Sequence, residues 1–464
     1  MIQQLPQTIK LEDVSVALCN VNGFFREYIV SQPMEDNMVF ALEERCSQNS
    51  QYIGRHLVIR SSWDRDRYVF ESIDFSRLRS LTVFGDWKSF LVSEKMKVLR
   101  VLDLEDTSGV TDDDLEQIGK LLSRLKFLSL RGCTSVSRLP TSLGNWKQLE
   151  TLDVRHSSVT MLPQTIINQQ KLQYIRAGTT VARVEEPSTQ HSSEGSWLPK
   201  FRRRQLMGAH LGARVPRGIG KLTALDTLGV VNVGGKGGNA ILRELKNLTQ
   251  VRKLGVSGIN RDNIRGLCSA ILAHGHLQSL SVRLDEDSQD FFSCLDGMPE
   301  PLKGNLRRLK LYGHVDKLPA WIKHFSNLIK LDLEMTILTQ EMMDFLADTR
   351  YPRILRLHVK PIQDVEHSFS LRRRDGNVNF LSLRVLEIDC GSRLQLTIGE
   401  GVMKSLYLLK VHCSSGSQIS GLAHLKCLKK VWVIGCCDVA LKQDLERQLV
   451  DHPSEDKPVL MLEE

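Results

Sequence analysis

One spacing, L-x-x-L-x-L with any aliphatic residue at the three anchors, recurs fourteen times and constrains this chain more than any other feature. The copies are LRSLTV (from Leu78), LRVLDL (Leu99), LKFLSL (Leu125), LETLDV (Leu149), LQYIRA (Leu172), LDTLGV (Leu225) and VRKLGV (Val251). They continue as LQSLSV (Leu277), LRRLKL (Leu306), LIKLDL (Leu328), ILRLHV (Ile354), LRVLEI (Leu383), LYLLKV (Leu406) and LKKVWV (Leu428). A degenerate earlier copy lies in GRHLVI, around Leu57 and Ile59. Starts lie 21 to 29 residues apart, with one interval of 53 between Leu172 and Leu225. In a strand, the fourth and sixth positions of each copy point one way and the residues between them the other. One such strand cannot bury its leucines, whereas neighbours stacked in parallel bury them in a continuous core.

This is the period of leucine-rich repeats. It predicts an α/β solenoid, a horseshoe with a parallel concave sheet and about 14–15 repeats, in which the rest of each repeat returns along the convex side. LPTSLGNWKQL, LPQTIINQQKL, VPRGIGKLTAL and LPAWIKHFSNL are such return segments, with Leu/Val-Pro fixing an extended start. Cys133 and Cys436 fall eight residues after their copy's first leucine, where this repeat class places Asn or Cys to bond turn backbone. The long interval holds an inserted loop, residues 179–216, carrying Arg202, Arg203 and Arg204; Arg372, Arg373 and Arg374 sit in a second inter-repeat loop. The repeats are expected over residues 51–450, after a segment 1–50 of other character. Residues 451–464 form a terminal cap, following a short helix through Leu445 and Leu449.

Composition narrows the function. Apolar content of 41% and charged content of 25% suit a folded chain, and no run of 18 apolar residues occurs. The start has no basic stretch followed by an apolar one, and ten cysteines lack paired metal-ligand spacing. A cytoplasmic protein with free thiols, no membrane span and no cofactor is expected. A net charge of +8 does not demand a nucleic-acid partner. The nearest approach to a P-loop has Val215 and Leu222 where Gly and Ser/Thr are needed, and GGKGGN (234–239) reads as a loop outside any strand-to-helix pattern. Nothing points to catalysis.

The residues between the anchors form the expected working surface. Early copies show Asp103, Glu105 and Asp106; middle copies show Arg252, Lys253, Arg283, Arg307, Arg308, Lys310, Arg356, His358 and Lys360. Phe127, Tyr174, Tyr312, Tyr407 and Trp432 join them. An acidic end and a basic middle suit a charge-complementary protein partner, and aromatics beside arginine have hot-spot composition. Arg252, Lys253, Arg283, Arg307, Arg308, Lys310, Tyr312, Arg356, His358 and Lys360 are the candidate contacts.

Cys19 to Cys46 (CNVNGFFREYIVSQPMEDNMVFALEERC) lacks the repeat and reads as a short helix at Phe24 to Ile29 and an amphipathic piece at Val39 to Leu42. This segment, with RHLVI, LRVLDLEDTSGVTDDDLEQIGKLLSRLKFLSLRGC, VPRGIGKLTALDTLGVVNV and the DHP-containing terminus, resembles plant intracellular immune receptors of the nucleotide-binding leucine-rich-repeat type, the coiled-coil class of grasses. The resemblance implies that residues 1–50 are the end of a winged-helix domain, with Val21, Asn22 and Gly23 at the position of a Val/Met-His-Asp nucleotide-sensing motif. Asn22 and Gly23 depart from that motif. It further implies a recognition module that contacts pathogen effectors or guarded host proteins and restrains a nucleotide-binding core. The rival reading is a freestanding signalling scaffold.

Overall fold

The structure is a computed structural model that describes residues 55–63, 67–178, 212–285, 306–313, 318, 322–323, 325–348, 352–360, 366–372, 380–435 and 438–463. It also gives the backbone of 2–4, 19–21 and 39–42. The chain divides into two compact units, one formed by Met1–Gly178 with Leu206–Ala209, the other by Thr179–Gln205 with His210–Glu464.

In the first unit, β1 (Ile2–Gln4) and β2 (Cys19–Val21) pair antiparallel. A parallel ladder then runs through β3 (Val39–Leu42), β4 (His56–Ile59), β5 (Ser80–Val83), β6 (Val101–Asp103), β7 (Phe127–Ser129), β8 (Thr151–Val154) and β9 (Tyr174–Ala177). What is described of residues 1–50 is therefore extended rather than helical. Val39–Leu42, expected outside the repeats, is a rung in register with β4, Phe40 opposite Leu57. The helix expected at Phe24 to Ile29 lies outside the described residues.

The second unit carries the parallel ladder β10 (Thr227–Asn232), β11 (Lys253–Ile259), β12 (Ser279–Leu284), β13 (Arg308–Tyr312), β14 (Lys330–Met335) and β15 (Ile354–Val359). β16 (Glu366–Leu371) begins a second sheet. The first sheet continues with β17 (Val385–Asp389), and the second with β18 (Arg393–Ile398). β19 (Leu408–His412), β21 (Lys430–Ile434) and β22 (Val459–Glu463) extend the first ladder; β20 (Gln418–Ser420) pairs with β18.

Register explains the core. Leu254, Leu280, Leu309, Leu331, Leu355, Leu386, Leu409 and Val431 stand opposite one another in turn, all at 3% exposure or less. In the first unit Leu57, Leu81, Leu102, Leu128, Leu152 and Ile175 do the same. This corrects one copy. Leu355, not Leu357, aligns with Leu331, so the ILRLHV rung is shifted by two residues. A shift of two preserves alternation, so Arg356 and His358 keep their face.

The return segments follow their proline chemistry. Pro140 and Pro163 are extended and lead into 3-10 turns Thr141–Asn145 and Gln164–Asn168. Trp146 closes the first of these turns, fully buried, its indole N–H donating to the Gly119 carbonyl at 3.3 Å. Cys133 is buried with Sγ 3.0 Å from the Leu104 carbonyl, and burial pushes its thiol up to about 12. It is a structural donor to the neighbouring rung, as its place in the repeat predicts; Cys436 lies outside the described residues. The GGKGGN stretch differs from expectation: it joins β10 to helix Gly238–Leu245, starting from Gly237 at φ 99°. Helix Val439–Val450, capped by Asp438 on the Leu441 N–H, precedes β22.

Two predictions follow from the packing. Leu331→Ala should lower stability by about 2–5 kcal/mol by opening a cavity between rungs, read as a fall in the urea midpoint. An unchanged midpoint would mean that the rung is not packed as described. His367 is 1% exposed with neither ring nitrogen partnered, and burial lowers its pKa. The folded state refuses a proton that the unfolded chain accepts below about pH 6.5. Stability should therefore fall as pH drops through that value, and His367→Leu should reduce the loss in urea titrations at pH 5 and pH 7.5.

Candidate protein-interaction surface

The side of the second unit's ladder away from the leucines carries two in-register rows. The first reads Ser281, Lys310, Asp332, Arg356, Glu387, Lys410 and Trp432 along successive rungs. From Lys310 to Lys410 the sign alternates at every rung. Lys310 Nζ is 3.9 Å from Asp332, Arg356 Nε is 2.6 Å from Glu387, and Lys410 Nζ reaches Glu387 at 3.2 Å. Lys410 also lies over the Trp432 ring, 4.5 Å from its centroid. Opposite charges facing across adjacent strands contribute roughly 0.2–1 kcal/mol per pair, so this order stabilises the stack as well as decorating it.

The second row, two residues further along, holds Arg283 opposite Tyr312, then Glu334, His358, Asp389 and His412. Arg283 reaches past Tyr312 to Glu334 at 3.2 Å. Glu334 also accepts the Gly313 N–H at 2.9 Å; Gly313 has φ 99°, and a Cβ there would sit 2.6 Å from the Leu284 carbonyl oxygen. His358 contacts two carboxylates, Asp332 at 3.2 Å and Asp389 at 3.4 Å, and Asp389 is held again by His412 at 2.6 Å.

Burial and charge set the titration. Burial would lower the His358 pKa, but Asp332 and Asp389 outweigh it and raise it to about 9. Burial raises and the same partnership lowers the pKa of both carboxylates, with a net fall; Asp389 ends far below the usual carboxylate range. Burial, with Arg356 nearby, brings Lys330 down to about 8 against the pull of Asp332. Burial and Asp332 push the Tyr312 hydroxyl up.

Arg283, Lys310, Arg356 and His358 thus come together within these rows. Arg307 and Arg308 lie exposed where β13 begins, Lys253 at the start of β11, Arg252 beside it at 3.6 Å from Asp226, and Lys360 just past β15. Tyr312 is corrected: it stands on this face but is only 3% exposed, with the His358 ring 6.3 Å away. The expected basic middle is corrected too, because Asp332, Glu334, Glu387 and Asp389 interleave with the cations. In the first unit the acids are likewise partnered, Glu105 by Arg131 at 2.7 Å and Asp153 by Arg155 at 2.6 Å and Arg176 at 3.7 Å. Burial pushes Asp103 and Glu105 up. Phe127, Tyr174, Tyr407 and Trp432 are half-buried. Arg372 donates to Ser370 at 2.9 Å, while Asn22, Gly23, Arg202, Arg203, Arg204, Arg373 and Arg374 lie outside the described residues. Reading LIKLDLEM and LRVLEID with the same offsets as their neighbours would have placed the missed acids.

Among the described residues no cluster of three or more His, Cys, Asp or Glu can hold a metal, and no helix is long and apolar enough to cross a membrane. A family model described as "Leucine-rich repeat region" matches residues 77–189 and 200–453. The chain belongs to the leucine-rich-repeat family. Its relatives are plant disease resistance proteins. Pik-2 of Oryza sativa subsp. japonica is 27% identical over 346 residues, covering 70% of this chain and 32% of that protein. RGA4 of the same rice is 25% identical over 461 residues, covering 96% and 41%. The chain thus spans less than half the length of these relatives. Among solved structures, the Leptospira interrogans leucine-rich-repeat protein LIC12759 is similar at 15% identity and a TM-score of 0.42, covering 82% of this chain and 90% of that one.

His358 sets a pH window. Its raised pKa means that its stabilising contribution is complete below about pH 6.5 and lost as pH rises through about 9. Urea midpoints should therefore decline between those values, and His358→Gln should flatten that decline; an equal slope in both proteins would contradict the carboxylate contacts.

Proposed function

We propose that this chain is a non-enzymatic recognition module of a plant disease-resistance protein, acting in the defence response by binding another protein on the charged face of its second unit. The observation that carries the reading is the pair of in-register rows, ending in a half-buried Trp432 under Lys410. Paired charges hold each other in place, so the surface meets a partner with little side-chain entropy left to lose. Aromatic and arginine anchors beside paired charges give such a face both affinity and selectivity.

The family resemblance supports the finer part of the reading: the partner is a pathogen effector or a guarded host protein, and the same repeats restrain a nucleotide-binding core, in cis or in trans. The much greater length of the rice relatives is consistent with such a core.

The test is capture of binding proteins from infected and uninfected plant tissue by the wild type and by Arg356→Glu/Trp432→Ala. Loss of specific partners, at roughly tenfold or greater weakening with unchanged circular dichroism, is the expected result. The same partners held equally by both proteins would refute the assignment of this face.

A further inference from the structure

The residue just before each strand of the second unit forms its own column along the edge where the strands begin. Its backbone belongs to the ladder: the Arg307 carbonyl accepts the N–H groups of Ile329 and Lys330 at 2.7 and 2.9 Å, and that of Arg353 accepts those of Arg384 and Val385 at 2.8 and 3.0 Å. From β10 to β21 the column reads Asp226, Arg252, Gln278, Arg307, Ile329, Arg353, Arg384, Tyr407 and Lys429. Five residues are basic and one is acidic. The half-buried Asp226 lies 3.6 Å from the exposed Arg252, and Lys429 lies 3.0 Å from Asp456 at an exposed site where ion pairs exchange readily. Arg252, Arg307 and Arg384 are exposed. Asp332 and Glu387 stand three residues further along their strands and are engaged within the sheet. The positive excess runs as a strip along this column and the first strand residues beside it, Lys253, Arg308 and Lys330.

We propose that this strip binds an extended acidic segment of a partner protein, with carboxylates at every third residue. Arg252, Arg307 and Arg353 stand on alternate rungs, about 9.6 Å apart at about 4.8 Å per rung. A polyproline II chain advances about 9.3 Å in three residues, so carboxylates at that interval meet successive arginines. Gln278 and Ile329 occupy the rungs between, and guanidinium groups suit carboxylates through paired hydrogen bonds. A nucleic acid is the competing occupant, because phosphate neutralisation also uses basic surfaces, and the oligonucleotide probe tests it. The inference rests on reading the ladder as a partner surface, but it uses different residues from the Arg356 and Trp432 test.

Fluorescence polarisation on the full chain separates the two. The probes are a labelled peptide of about ten residues with Glu at every third position, the same composition with Glu at every second position, and an oligouridylate of similar length. The first peptide should bind roughly fivefold to tenfold more tightly than the second, more weakly as salt rises. Arg307→Glu/Arg353→Glu should abolish the preference, and Arg307→Glu alone, at an exposed side chain, should reduce it with an unchanged urea midpoint. Arg356→Glu/Trp432→Ala should leave peptide binding intact. Equal binding of both peptides, tighter binding of the oligonucleotide, or insensitivity to Arg307→Glu would overturn this inference alone, leaving the charged-face assignment to its own capture experiment.

Discussion

Everything in this molecule depends on strands stacking in parallel and in register. Each rung brings two or three aliphatic side chains that it cannot bury alone, and only the next rung, aligned residue for residue, removes them from water. Leu309, Leu331 and Leu355 are buried because they stand opposite one another. Fully burying a leucine contributes roughly 1.5–3 kcal/mol, so a slip by one residue, which would turn every leucine of a rung to solvent, is strongly disfavoured. The polar side of each strand inherits this alignment without choosing it.

That inheritance turns a list of charges into a surface. At rung spacing, side chains at the same strand position are near neighbours, so like charges there would oppose the stacking that the leucines demand. The sequence Lys310, Asp332, Arg356, Glu387, Lys410 resolves the conflict by alternating. The His358, Asp389 and His412 row does the same with a titratable member, which couples the face to pH. Where the strands begin, the column holding Arg307, Arg353 and Arg384 does not alternate in sign.

Much of the fold was legible because the leucine period is both the folding constraint and a pattern in one dimension. The rungs, the proline-led return segments and the backbone-bonding role of Cys133 could be read from spacing alone. The two-residue shift at Leu355 could not, because Ile354, Leu357 and Val359 satisfy the same pattern as the true anchors. Val39–Leu42 was missed because its companion anchors are absent. The second sheet was missed because the alternation in HSFSL and RLQLTI shows a strand but not which strands it pairs with. For the surface, cations alone could not reveal that Asp332 and Glu387 share their row, and the burial of Tyr312 arises from neighbours on other rungs.

Register pairs the charges of this face. A charge-swap cycle at one rung boundary tests it most directly: urea midpoints for Arg356→Glu, Glu387→Arg and the double swap. Each single change should destabilise the protein, and the double change should recover most of the loss. Strictly additive losses in the double variant would contradict it, because they would mean that Arg356 and Glu387 do not act as a pair.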